Sequence, residues 1–199
     1  LPVEVETINN KNKQKPYNSL NLSSDSNLNS DAMYEFHNRN TIKQQIQSLI
    51  ETEAPISKNL LYKKILQMWN TSRVGAKLDR HLEGIIKEMN LMQTAHHQPF
   101  YWFNTTSLES YRSNDLEKRA IEDIAPEEIL VALEEVIANN LSIDEAELLR
   151  YLARTFGFAK VGKQIETNLR YVIDIAVQQE KVTRDNNRIK FAQNKNYYV

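Results

Sequence analysis

A mainly α fold with small β-hairpins, written as two tandem copies of one helix-turn-helix unit, is predicted by three observations. Apolar residues recur at helical spacing in two long blocks. Sliding the sequence by 87 positions sets Val74-Gly75 on Val161-Gly162 and brings the blocks into step. Each block then closes on two short alternating stretches around a polar turn, the pattern of a β-hairpin. The 199 residues, 41% hydrophobic and 26% charged, leave room for one domain or two small ones.

Residues 1–40 read as an Asn/Ser-rich linker, because from Thr7 to Asp31 the leucines are too scattered to offset the entropy of ordering. Apolar residues reappear at Met33, Tyr34 and Phe36. The first copy, 41–104, opens with a helix carrying Ile42, Ile46 and Ile50. A second helix carries Ile56, Leu61, Ile65 and Trp69, and a third Leu78, Leu82, Ile85 and Ile86. Its hairpin is expected at Leu91 to Thr94 and Phe100 to Phe103, with His96-His97-Gln98 at the turn. A connector, 105–124, offers Leu116, Ala120, Ile121 and Ile124 at helical spacing, which predicts a short helix.

The second copy, 125–192, repeats the plan with Ile129, Leu133 and Ile137, then Ile143, Leu148, Leu152 and Phe156, then Ile165, Leu169, Val172 and Ile173. Ser57 and Asp144 stand where the second helices need N-caps, with Glu147 three residues after Asp144 as in a capping box. Pro126 suits a first helical turn. The hairpin is expected at Lys181 to Arg184 and Arg188 to Phe191 around Asp185-Asn186-Asn187, and a tail, 193–199, ends the chain. Three helices and a hairpin within about 65 residues is the order of a winged helix, whose hairpin is the wing.

Composition excludes several chemistries. Four glycines, Gly75, Gly84, Gly157 and Gly162, cannot make a G-x-G-x-x-G dinucleotide turn. With no cysteine there is no disulfide, no zinc finger and no thiol nucleophile, which fits a reducing, cytoplasmic setting. No apolar run approaches the roughly 18 residues of a membrane span, and the start has no signal-peptide pattern. Because the chain begins with Leu, it is expected to be a piece of a longer polypeptide. Gly157 to Lys163 matches the G-x-x-x-x-G-K part of a phosphate loop, but Gln164 stands where Ser or Thr is needed and the preceding segment is helical. His96 and His97 are adjacent, so a hairpin sends them to opposite faces, poorly placed to share a metal and expected in water. Glu127-Glu128 and Glu134-Glu135 read as a first turn and a solvated face. No catalytic constellation, metal site or cofactor site is expected.

The basic residues carry the functional signal. The outer side of the third helix shows Lys77 and Arg80 in the first copy and Lys163, Gln164 and Thr167 in the second, with Arg73 and Lys160 just before each helix. A recognition helix uses its N-terminal turns to touch bases and phosphates, and the wing would add Arg184 and Arg188. These nine residues are the candidate nucleic-acid-binding set, with duplex DNA as the expected partner. Against that stands a net charge of −1 and a pI of about 6.5, short of the basic balance of a self-sufficient DNA-binding domain. The alternative is a protein-docking module, with Tyr101, Trp102, Phe103 and Tyr197-Tyr198-Val199 as apolar contacts.

IAPEEILVALEEVI followed by LLRYLARTFGFAKVGKQIETNLRYVI resembles the C-terminal domain-of-unknown-function family, number 3320, appended to large bacterial superfamily I DNA helicase-like proteins. The resemblance is tightest over Pro126 to Phe191, while IKQQIQSLIETEAPISKNLLYKKILQMWNTSRVG in the first copy is looser, with Trp69-Asn70-Thr71 in place of Phe156-Gly157-Phe158. It implies a non-catalytic accessory module that follows the helicase and nuclease domains of the same polypeptide, with no small-molecule substrate and no membrane.

Overall fold

The structure is a computed structural model, and it describes residues 13–21, 23, 29–103 and 108–192. The fold is mainly helical with small sheets. Strand β1 (Gln14–Pro16) and two 3-10 turns precede helix α1 (Arg39–Glu53), strand β2 (Ile56–Ser57), helices α2 (Lys58–Met68) and α3 (Ala76–Glu88), and strands β3 (Met92–Ala95) and β4 (Pro99–Trp102). Strand β5 (Tyr111–Ser113) lies in the connector. Helix α4 (Pro126–Asn140), strand β6 (Ser142–Asp144), helices α5 (Glu145–Thr155) and α6 (Lys163–Gln178), and strands β7 (Val182–Asp185) and β8 (Arg188–Phe191) complete the second copy.

The copies are structurally equivalent: α1 with α4 and α2 with α5 begin and end at positions 87 apart. Each hairpin is extended by the short strand before its second helix, giving the antiparallel orders β2-β4-β3 and β6-β8-β7. The expected caps are present. Ser57 Oγ accepts from Leu60 N at 3.0 Å, Asp144 Oδ1 accepts from Ala146 N at 2.9 Å, and Pro126 opens α4. Asn186 and Asn187, both with positive φ, make the two-residue turn of the second hairpin, a conformation asparagine tolerates. Each copy has its own core, centred on Trp69 in one and Phe156 in the other, both fully buried. Trp69 also donates from Nε1 to Gln45 Oε1 at 2.8 Å.

Two segments differ from the sequence expectation. The stretch read as a linker carries β1, which pairs in parallel with β5, Gln14 opposite Tyr111. Tyr17 and Met33 are buried, so the first unit reaches back before residue 41. The connector forms β5 and a 3-10 turn, Ile121–Asp123, in place of a short helix. Leu116 is exposed, which breaks the apolar stripe, and Ala120 and Ile124 are extended, leaving only one tight turn between them. The residues 193–199 lie outside the described residues.

The connector is held by a buried ionic cluster. Glu128 lies on the first turn of α4, as the sequence suggests, and is fully buried there. Its carboxylate accepts from Arg112 Nε and Nη2, both at 2.8 Å, and from Arg119 Nη1 at 2.6 Å. Arg112 also reaches the first copy, donating from Nη1 to the Glu53 carbonyl at 2.6 Å and from Nη2 to the Pro55 carbonyl at 3.0 Å. Glu53, buried at the end of α1, accepts from Lys64 Nζ and Leu20 N, both at 2.8 Å, and from the Tyr17 hydroxyl. Burial alone would raise the Glu128 pKa, but the charges of Arg119 and Arg112 and their hydrogen bonds overcome it and hold the carboxyl at about 2.

Two outcomes follow for the intact chain. Because the folded pKa of Glu128 lies below its unfolded value near 4.5, its contribution is present above that value and lost as pH falls from about 4.5 towards 2. The urea midpoint should drop across that window, and less so in Glu128→Gln, which is already weaker by about 3–5 kcal/mol through two uncompensated arginines. Trp69→Ala and Phe156→Ala should each cost about 3–5 kcal/mol in the same urea titration.

Candidate nucleic-acid interface

The third helices are the elements on which the basic candidates converge. Each begins at a glycine N-cap, Gly75 for α3 and Gly162 for α6, and neither has a side-chain cap. The second helices, capped by Ser57 and Asp144, have fewer open amides. The first amides of α3 and α6 therefore face outward unclaimed by side chains, carrying the partial positive charge of the helix start. The segment before each is a turn. Asn70, with φ 49°, ends α2, and Gly157, with φ 73°, ends α5. Since helix α5 runs straight into Gly157, the G-x-x-x-x-G-K match has no strand to aim it as a phosphate loop.

Arg73, Lys160 and Lys163 are exposed, and among the described residues no ion pair engages them. The other candidates have partners. Lys77 Nζ sits 4.1 Å from the centre of the Tyr34 ring, a cation–π contact that leaves its outer side open. Arg80 Nε donates to the Ala76 carbonyl at 3.2 Å. Thr167 Oγ1 donates to the Lys163 carbonyl at 2.9 Å. Arg184 bridges Asp174 at 2.9 Å and Glu145 at 2.8 Å, and the Asp174 hydrogen bond and both carboxylates keep its pKa raised against burial. Arg188 donates to the Ser142 hydroxyl at 2.8 Å and the Ser142 carbonyl at 3.0 Å. Arg170, on the same helix as Lys163, pairs with Glu145 and Glu166. The cations of the second copy are thus partly neutralised on its hairpin side, while Lys160 and Lys163 at the start of α6 are not.

The turn of the first hairpin rests against the second copy. His96 is largely covered: its Nε2 lies 2.9 Å from Glu127 Oε1 and its Nδ1 3.1 Å from the Tyr171 hydroxyl on α6. His97 packs on the Tyr171 ring with centroids 4.3 Å apart. Both histidines therefore touch the second copy, His96 with Glu127 as its partner and largely covered, where the sequence suggested water, while His97 remains exposed as expected. Ser57 Oγ and Asp123 are hydrogen-bonded, and Gln98 Nε2 donates to the Glu122 carbonyl at 2.8 Å. Between the hairpin turn and α6 lies a cleft of about 270 Å³, lined on one side by His97 and Gln98 and on the other by Gln164, Thr167 and Asn168. Gln164 and Thr167 thus stand at the joint between the copies, beside the outward-facing Lys163.

The apolar candidates divide as well. Tyr101 and Trp102 are buried, Tyr101 in the first core and on β4 opposite Ile56 and Gln93, so they are packing residues. Tyr197, Tyr198 and Val199 lie outside the described residues. His81, beside Leu82 on α3, stacks near Tyr34 at 5.2 Å between centroids. Burial lowers its pKa, helped by Arg39 and Lys77 and opposed by the Met33 backbone, which keeps the ring neutral. Among the described residues no group of three or more His, Asp or Glu is placed to hold a metal ion, and no helix is long and apolar enough to cross a membrane.

Helical spacing hid the polar joint. Arg112 and Arg119 sit in the connector, where no periodicity marks them. Glu128 did leave a trace: it falls four residues before Ala132 and is followed by Ile129 to Leu133, an unbroken apolar run that buries both sides of α4.

A search of the curated proteins finds no match to this chain. A family model described as a protein of unknown function (DUF3320) matches residues 31–80. The match falls on the first copy, and not on Pro126 to Phe191 where the resemblance was expected to be tightest. Asn70 takes the same left-handed backbone as Gly157, and Trp69 fills its core as Phe156 fills the other, so the substituted turn preserves the structural roles. Over Asp31 to Arg80, from the 3-10 turns through the first turn of α3, the chain is similar to the DUF3320 family.

Proposed function

We propose that each copy is a winged helix, with α3 and α6 as recognition helices and the two hairpins as wings, and that the chain is a non-catalytic module that binds duplex DNA. The observation that carries this reading is the pairing, at the start of each third helix, of uncapped amides with exposed cations: Gly75 with Arg73, and Gly162 with Lys160 and Lys163. Backbone N–H groups and a helix dipole favour a phosphate at that point, and the lysines supply the charge that draws it. Lys160 and Lys163 form the main contact, Arg73 and Lys77 a second one on the other copy, and Gln164 and Thr167 stand at the cleft edge where a groove-facing side chain would reach bases. Arg184 and Arg188 are weaker contacts, because a phosphate would have to compete with Asp174, Glu145 and Ser142 for them. The affinity expected is modest and weighted towards the backbone, in keeping with the net charge of −1.

Service to a helicase or nuclease motor in the same polypeptide follows from the family resemblance, and it suits a module whose contacts read phosphates more than bases. Protein docking through Tyr101 and Trp102 is disfavoured by their burial.

Fluorescence anisotropy with duplex oligonucleotides at several salt concentrations tests this reading. The parent should bind in the micromolar range, with log affinity falling linearly against log salt. Lys160→Glu with Lys163→Glu should weaken binding at least tenfold across unrelated sequences and leave the melting temperature unchanged, as both side chains are exposed. Equal affinity of parent and double variant would reject the site.

A further inference from the structure

A second cationic feature lies away from the third-helix starts. An open cavity of about 610 Å³ separates α2 from the connector, with the segment Tyr17 to Asn21 along its edge. Lys63 and Lys64 line it from α2 and Lys118 and Arg119 from the connector, and Glu117 supplies the carboxylate among its lining residues.

The charges around it do not balance. The buried cluster beneath the cavity holds three cations, Lys64, Arg112 and Arg119, against two carboxylates, Glu53 and Glu128. Lys63 and Lys118 add two positive charges at the cavity wall and Glu117 removes one. Arg119 is 4% exposed, its Nη1 and Nη2 are spent on Glu128 and the Arg112 carbonyl, and its Nε has no hydrogen-bond partner. A buried guanidinium N–H without an acceptor is costly, and so is an unbalanced buried charge. Lys64 Nζ gives two of its three donors to Glu53 and Ser19. Lysines and an arginine converging on one open space match the several acceptor oxygens and the negative charge of a phosphate group.

We infer that this cavity, between α2 and the connector, is a phosphate-binding site, with Lys63 and Lys118 as the gripping side chains and Lys64 and Arg119 as the buried positive floor. The site stands apart from Lys160 and Lys163 and does not rest on the DNA reading. Its phosphate can come from a free small anion or from a nucleic-acid backbone, and the two are separable.

The test uses the whole chain and inorganic phosphate. Thermal melting in sodium phosphate is compared with sodium chloride at matched ionic strength, for the parent and for Lys63→Gln with Lys118→Gln. Phosphate should raise the parent melting temperature by about 3 °C at a concentration well above the dissociation constant. The double variant, altered only at exposed positions, should melt within about 1 °C of the parent in chloride and lose most of the rise. Phosphorus NMR of inorganic phosphate should show line broadening by the parent that the double variant lacks, a readout independent of melting. An equal rise in both proteins, the signature of a general salting effect, or a phosphate signal unchanged by the parent, would overturn the site. With the site upheld, a tenfold loss of duplex affinity in Lys63→Gln with Lys118→Gln assigns the phosphate to a nucleic-acid backbone, and unchanged duplex affinity assigns it to a small anion. Failure of the parent to bind duplex at all, with the phosphate rise intact, would remove the DNA reading and leave this one standing.

Discussion

The buried part of the joint between the two copies is organised around one carboxylate. Glu128 is out of reach of water, and two arginines from the connector, Arg112 and Arg119, are folded over it. Such a cluster is poor value as pure stabilisation, since taking the ions out of water offsets most of their attraction. What it supplies is geometry. Arg112 can span these groups only if the Glu53 and Pro55 carbonyls of the first copy are brought to the same place as the first turn of α4, so one guanidinium bridges both copies and fixes how they meet.

The rest of the joint reads as reinforcement of that choice. The first hairpin turn rests on α6 through His96, His97 and Tyr171, and Gln98 and Ser57 bond to the connector turn at Glu122 and Asp123. A hairpin committed in this way is a spacer between copies on one side and an edge strand, β3, on the other. The two third-helix starts are thereby held in a fixed relation, the condition under which the two proposed phosphate contacts would act as one stronger one.

How much of this the sequence revealed follows from which signals are local. Helix periodicity within the two copies, the 87-residue offset that aligns them, Ser57 and Asp144 as caps, and the Asn186-Asn187 turn are legible in the sequence, and each element they mark is present in the structure, the connector helix alone giving way to a 3-10 turn. The joint is built from contacts that no local pattern encodes: Tyr17 with Glu53, Arg112 with Glu53 and Pro55, His96 with Glu127. The polar segment before Met33 therefore reads as a linker and the connector as a short helix, although both contribute strands. At the candidate interface the sequence could place Arg73, Lys160 and Lys163 at the helix starts, because the repeat fixes register. It could not show that Arg184 and Arg188 spend their donors on Asp174, Glu145 and Ser142, since an exposed arginine on a strand looks the same with or without a neighbour.

The pairing of β1 with β5 sets an order of assembly. Gln14 meets Tyr111 across most of the first copy, and Arg112 closes on Glu53 over a separation of 59 residues, whereas the helices and hairpins of each copy close over short loops. Long loops lose more entropy on closure and are slow to form. The copies can each collapse on their own cores first, and the strand pair with its buried ions locks afterwards. The strand pair and its buried ions are thus long-range closures that join the two copies through the connector.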